Sequence, residues 1–258
     1  MEKKKRKKLF YNILLVIAGG VFLYSAFNLG VIFYQYYQQD SENERMEEVA
    51  KVPKNPEKEK FSVDWENLQK INPDIIGWIL IPDTNISYAM VQGSDNDYYL
   101  THTAEKTPLY SGAIFMDAGA NKEFSDRNTI IYGHNVLHGT MFAQLEKFKE
   151  KEFFDAHPYV YIFTPTKNYR SEVLSMYTTK DSSSTYTTQF ASEEDFSSYI
   201  DTIKGQSDHA SAFVAQAGDN IITLSTCSYE DSGKLSDLRY VLQAKLVEWS
   251  GDYMVNKE

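Results

Sequence analysis

The sequence predicts a mainly β domain, a closed barrel of eight strands, carried behind one membrane-spanning helix. Two observations lead to this reading. Eight runs of β-branched and aromatic residues follow one another from Gly77 onward, separated by turn residues such as Pro82-Asp83, Gly93-Ser94 and Gly218-Asp219. Ahead of them, Leu9 to Tyr37 contains no charged residue, and a bilayer needs only roughly 20 apolar residues in a helix. With 258 residues, 42% of them hydrophobic and 14% aromatic, the chain has enough apolar material for one sizeable core plus appendages.

The elements follow in order. Residues 1–8, MEKKKRKK, form a basic head, and 9–37 form the spanning helix. A cleaved leader would have an apolar region of about 7–15 residues and a small-residue cleavage site, so this longer run predicts an anchor. Lys and Arg are retained on the cytoplasmic side. The amino terminus is therefore expected in the cytoplasm and everything after Tyr37 outside it.

Residues 38–60, charged and with two prolines, predict an extracytoplasmic tether whose first half can be helical. The folded domain is expected at 61–258. Trp65, Leu68 and Ile71 share a helical face in SVDWENLQKI, which Asn72-Pro73 ends.

The strands are expected at Gly77–Ile81, Ile86–Val91, Gly112–Met116, Asn128–Gly133, Tyr159–Phe163, Glu172–Thr179, Asn220–Thr226 and Arg239–Trp249. This many strands in one domain suit a closed barrel. One helix interrupts them: Ser192 and Asp195 form a capping-box pattern, and Phe196, Tyr199, Ile200 and Ile203 keep helical spacing up to Gly205. The stretch DSSSTYTT, Asp181 to Thr188, reads as a loop.

The net charge is −10, and the exported part without its basic head is more acidic still. Phosphate binding rests on clustered Lys and Arg, so nucleic acid is not an expected partner. The single cysteine, Cys227, ends the apolar run ITLSTC. An unpaired thiol in an exported chain can be buried and inert, bridge to another molecule, or react.

A reactive thiol needs a partner that moves protons, usually histidine. His134 ends the strand NTIIYG just as Cys227 ends NIITLST, and Arg239 opens the last strand. Strand ends converge on one rim of a barrel, and a guanidinium there suits a developing oxyanion. His102, His157 and His209 read as ordinary histidines. His134 and His138 have the spacing of a zinc protease helix, but Asn135 replaces the required Glu and Gly133 and Gly139 bracket a loop. No metal is expected.

TLSTC (Thr223 to Cys227), YGHN (Tyr132 to Asn135) and RYVLQAKL from Arg239 together resemble the three active-site segments of a sortase, over about Phe61 to Trp249. The helix before GWILIP, DNDYYL (Asp95 to Leu100), GAIFMD (Gly112 to Asp117) and the helical insertion near Ser192 to Lys204 resemble class B. The resemblance implies a membrane-anchored cysteine transpeptidase of a Gram-positive bacterium with an eight-stranded sortase barrel. It implies Cys227 as nucleophile, His134 as general acid and base, and Arg239 as stabiliser of substrate and oxyanion.

It also implies that Asn96, Leu100 and Ser225 line the groove for a sorting signal of the NPxTx type, cleaved after Thr. The implied partners are surface proteins bearing that signal and a peptidoglycan precursor amine, with no cofactor. The loop between Cys227 and Arg239 is longer than in familiar members, with Lys234 as a substitute cation. Two further readings stand beside this one: a cysteine peptidase that only hydrolyses the same peptide, and a membrane-tethered binding module with an inert cysteine.

Overall fold

The computed structural model describes residues 2–59, 61–230 and 236–250. Two compact units divide the chain, one ending at Glu42 and the other starting at Asn43. The helix α1, Glu2–Ala50, runs through both. Its stretch from Lys4 includes an 18-residue window of mean hydropathy 2.0 with nothing buried, which makes it a candidate membrane span by length and composition.

The charged residues read as a tether prove helical as far as Ala50. Within the second unit, Met46 and Ala50 are buried together with Phe61, Leu68 and Trp78. The compact unit thus begins well ahead of Phe61. Two apolar side chains one helical turn apart, Met46 and Ala50, supply the contact that the surrounding charges disguise.

Helix α2, Trp65–Ile71, is capped by Asp64, whose side chain accepts from Asn67 N, and it buries Leu68. Ile71 stays 38% exposed, so the shared face is narrower than its spacing predicts. The strands are β1 Ile75–Leu80, β2 Ser87–Val91, β3 Ile114–Met116, β4 Asn128–Tyr132, β5 Tyr159–Phe163, β6 Asn168–Lys180, β7 Ile221–Cys227 and β8 Leu238–Lys245. All eight expected strands are present.

Closure follows the order β1-β2-β3-β4-β7-β8-β6-β5, with β5 pairing back onto β1. A closed barrel leaves no sheet edge, so every strand has two neighbours. β6 is longer than expected because the polar Asn168, Tyr169 and Arg170 pair with β5.

Helix α3, Lys151–Ala156, precedes β5, and α4, Glu193–Gln206, lies in the chain between β6 and β7. The cap of α4 is the one its sequence predicts, with Ser192 accepting from Asp195 N at 3.2 Å. Phe196, Tyr199, Ile200 and Ile203 are buried against Leu174, Tyr177 and Val241. Each such side chain contributes roughly 1.5–3 kcal/mol.

Candidate active site

Strand order decides where Cys227, His134 and Arg239 meet. β4 runs parallel to β7 with Tyr132 opposite Ser225, so the chain continues two residues on to His134 and to Cys227 side by side. β8 runs antiparallel to β7 with Arg239 opposite Cys227. Three segments distant in sequence therefore end at one rim. Together with Asn96, Leu100 and Ser225, these residues line one groove of about 340 Å³. All six residues singled out in the sequence are brought together.

The turn after β4 is built for close packing. A Cβ on Gly133 would lie 2.8 Å from Phe142 Cδ2 and closer still to Ile114. Only glycine fits between Tyr132 and His134 without a shift of the barrel wall. His134 and His138 then lie in a loop rather than on a helix. Asn135 forms an isolated bridge with Met141, and Gly139 has φ +90°. Among the described residues, no cluster of three or more His, Cys, Asp or Glu could hold a metal.

His134 Nε2 lies 2.8 Å from the carbonyl oxygen of Leu100. A carbonyl only accepts, so Nε2 carries a proton and Nδ1 is the nitrogen left to exchange one. Tyr110 stacks on the ring, centroids 5.7 Å apart. Leu100 thus meets His134 through its backbone, a contact that side-chain reasoning cannot supply.

The remaining histidines are spent elsewhere. Nδ1 of His102 pairs with Tyr98 O at 2.9 Å, Nδ1 of His157 with Phe153 O at 2.8 Å, and Nε2 of His209 with Lys149 O at 2.6 Å.

Arg239 does not pair with Asp237 or Glu248, which go to Lys180 and Lys167. Its Nη2 donates to Asp181 Oδ2 at 3.0 Å, and Nη1 donates to the carbonyls of Ser236 and Leu238. Lys234 lies outside the described residues.

Ser225 Oγ is 2.7 Å from the hydroxyl of Tyr186. Burial pushes that phenol's pKa up, with the Ser225 contact pulling the other way. Asn96 is committed to its own loop, donating to Asp117 Oδ2 at 2.8 Å and accepting from Ala118 N at 2.8 Å. One of its N–H groups remains. Phe115, Tyr132, Gly133, Asp181, Tyr186 and Thr226 complete the lining. Of these, Asp181 and Tyr186 stand in the stretch read only as a loop.

A family model described as the sortase domain matches residues 79–247. The chain belongs to the sortase family. Over 249 residues this sortase is 36% identical to Sortase B of Listeria monocytogenes, covering 94% of this chain and 99% of the relative. Sortase B of Staphylococcus aureus is 29% identical over 95% of this chain and all of its own.

Among solved structures, the Staphylococcus aureus sortase B–substrate complex superposes with a TM-score of 0.76 at 30% identity, over 84% of this chain and 100% of that one. Sortase B of Bacillus anthracis in complex with AAEK1 gives 0.73 at 35%, over 84% and 100%. Barrel and relatives agree on class B, and sortases are cysteine transpeptidases. The single thiol of this sortase stands, partly exposed, in the groove.

Proposed function

We propose that this sortase joins surface proteins to the cell wall, with Cys227, His134 and Arg239 as its catalytic residues. The Cys227 thiolate attacks the threonine's own carbonyl carbon in a sorting signal of the NPxTx type, and a C–S bond forms. The C–N bond then breaks, and the leaving amine takes its proton from the His134 imidazolium. A peptidoglycan precursor amine, deprotonated by His134, displaces the sulfur and leaves an amide. Arg239 donates to the oxyanion in both tetrahedral species. Asn96, Leu100 and Ser225 contact the signal peptide.

The observation that carries this reading is the meeting of Cys227, His134 and Arg239 at adjacent strand ends over one peptide-sized groove. The apolar part of α1 is read as a membrane anchor, with residues 1–8 cytoplasmic, 38–60 an extracytoplasmic connection and 61–258 the catalytic domain outside. The charge-free run and the basic head support that orientation.

The test uses the full chain in detergent and a library of Asn-Pro-x-Thr-x peptides, followed by mass spectrometry with and without an added amine. A Cys227-linked acyl-enzyme and an amide product are expected, and both should vanish in Cys227→Ala. Hydrolysis that ignores the amine would reduce the enzyme to a peptidase. Undiminished turnover by Cys227→Ala would end the proposal.

A further inference from the structure

Among the described residues that line the groove, one carboxylate has no task in the chemistry above, Asp181. It follows β6 directly, at the end where Thr179 pairs with Arg239 and Lys180 with Leu238. Its backbone N–H donates to Asp237 O at 2.8 Å, so its position is tied to the entry of β8. From there Oδ2 accepts from Arg239 Nη2, while the carbonyls of Ser236 and Leu238 take both protons of Nη1.

A guanidinium has five N–H donors in one rigid plane. Among the described residues these contacts engage three of them, leaving the Nε proton and one Nη2 proton. Two anchors at Nη1 leave the fork able to swing about that nitrogen, and a third at Nη2 sets its direction. Direction matters here because the backbone amide after the nucleophile is not on offer: Ser228 N–H donates to Leu238 O at 3.0 Å. An oxyanion donor helps only when it is already aimed at the place where charge develops.

We propose that Asp181 is a positioning residue for acyl transfer, holding Arg239 so that its two free N–H groups face the oxyanion formed at Cys227. The inference rests on the transpeptidase reading given above. Two other roles make different predictions. As a stabiliser of the fold the pair counts for little, since the side chains are 24% and 47% exposed and water screens them. As a plain negative charge Asp181 would oppose the oxyanion, and removing it would speed acylation.

The experiment measures single-turnover acylation of the full chain in detergent by an Asn-Pro-x-Thr-x peptide that the unmodified enzyme cleaves. Alkylation of Cys227 by iodoacetamide, which forms no oxyanion, is measured in parallel. Asp181→Asn should lower acylation about tenfold, a part of the 10²–10³ that loss of an oxyanion donor costs, with alkylation unchanged. Asp181→Ala in an Arg239→Ala background should cost nothing further.

Wild-type or faster acylation by Asp181→Asn would overturn the proposal. So would losses that multiply in the double variant, or alkylation that falls in step with acylation. These failures leave the transpeptidase reading intact. That reading fails separately, and takes this inference with it, if Cys227→Ala still turns the peptide over.

Discussion

The side-chain amide of Asn135 donates to the backbone carbonyl of Cys227 across 2.8 Å, tying the residue after His134 to the residue that carries the thiol. The tie is doubled, because the Tyr229 hydroxyl donates to Asn135 O at 3.1 Å. Asn135→Ala removes a hydrogen bond worth about 1 kcal/mol net, and its effect should appear in the alignment of the two groups rather than in the fold. A fall of roughly fivefold in kcat/KM is expected, with the thermal midpoint lowered by no more than about 4 °C. Asn135→Asp, which sets an acceptor against a carbonyl, should be worse. Equal activity of all three forms would show that the tie is idle.

A buried polar network supports the groove from behind. Gln243 Oε1 accepts from Ser175 Oγ and Tyr177 OH at 2.9 and 3.1 Å, and its Nε2 donates to Tyr199 OH and Thr223 Oγ1 at 2.8 and 3.0 Å. Replacement by leucine keeps the volume but removes all four of these bonds and takes from the buried Ser175 Oγ its acceptor. Gln243→Leu should lose about 3 kcal/mol in urea unfolding. Tyr199 also donates to Thr185 O, next to Tyr186. The variant should therefore weaken peptide binding as well as the fold.

One carboxylate held against β5 and β6 makes part of the stability depend on pH. Glu57 is held below its ordinary pKa, first by the hydrogen bond from Tyr161 OH, with burial opposing and Arg170 assisting. A depressed folded pKa adds stability above the unfolded value, and that stability disappears as pH falls through the folded value. Glu57→Gln should cost about 0.5 kcal/mol at pH 7, the scale of a partly exposed pair. Urea midpoints of the two proteins should coincide in acid below the carboxylate range. A gap that persisted there would assign the effect to packing.

Because Cys227 is the single cysteine, orientation in the membrane has a direct readout. A membrane-impermeant maleimide added to intact cells should label the chain, and Cys227→Ala should abolish the label. Labelling that required permeabilisation would reverse the proposed topology.

Much of the barrel was legible because its strands are dense in β-branched and aromatic residues, as in YVYIF of β5 and IITLSTC of β7. The helix α4 was legible because its cap and spacing are both local. Cys227, His134 and Arg239 were found as strand-end residues before their neighbours were known. Asp181 was not, since its link to Arg239 depends on the β6–β8 register, which no local pattern encodes. The same holds for Tyr186, which meets Ser225 from 39 residues away. The helix to Ala50 agrees with a helical first half of 38–60, but the burial of Met46 and Ala50 was not legible, because charged residues surround these two apolar side chains.

Gly133 leaves the turn before His134 with no slack, since any side chain there meets Ile114 and Phe142. Evolution and engineering therefore face unequal freedoms around this groove. In the connection from β6 to β7, positions other than Asp181, Tyr186 and the buried face of α4 can change while the thiol and imidazole stay in place, so selectivity for new peptides can be sought there. One inserted residue between Ile131 and His134 would instead shift the register at the end of β4, carrying the imidazole away from the thiol with which the proposed mechanism pairs it.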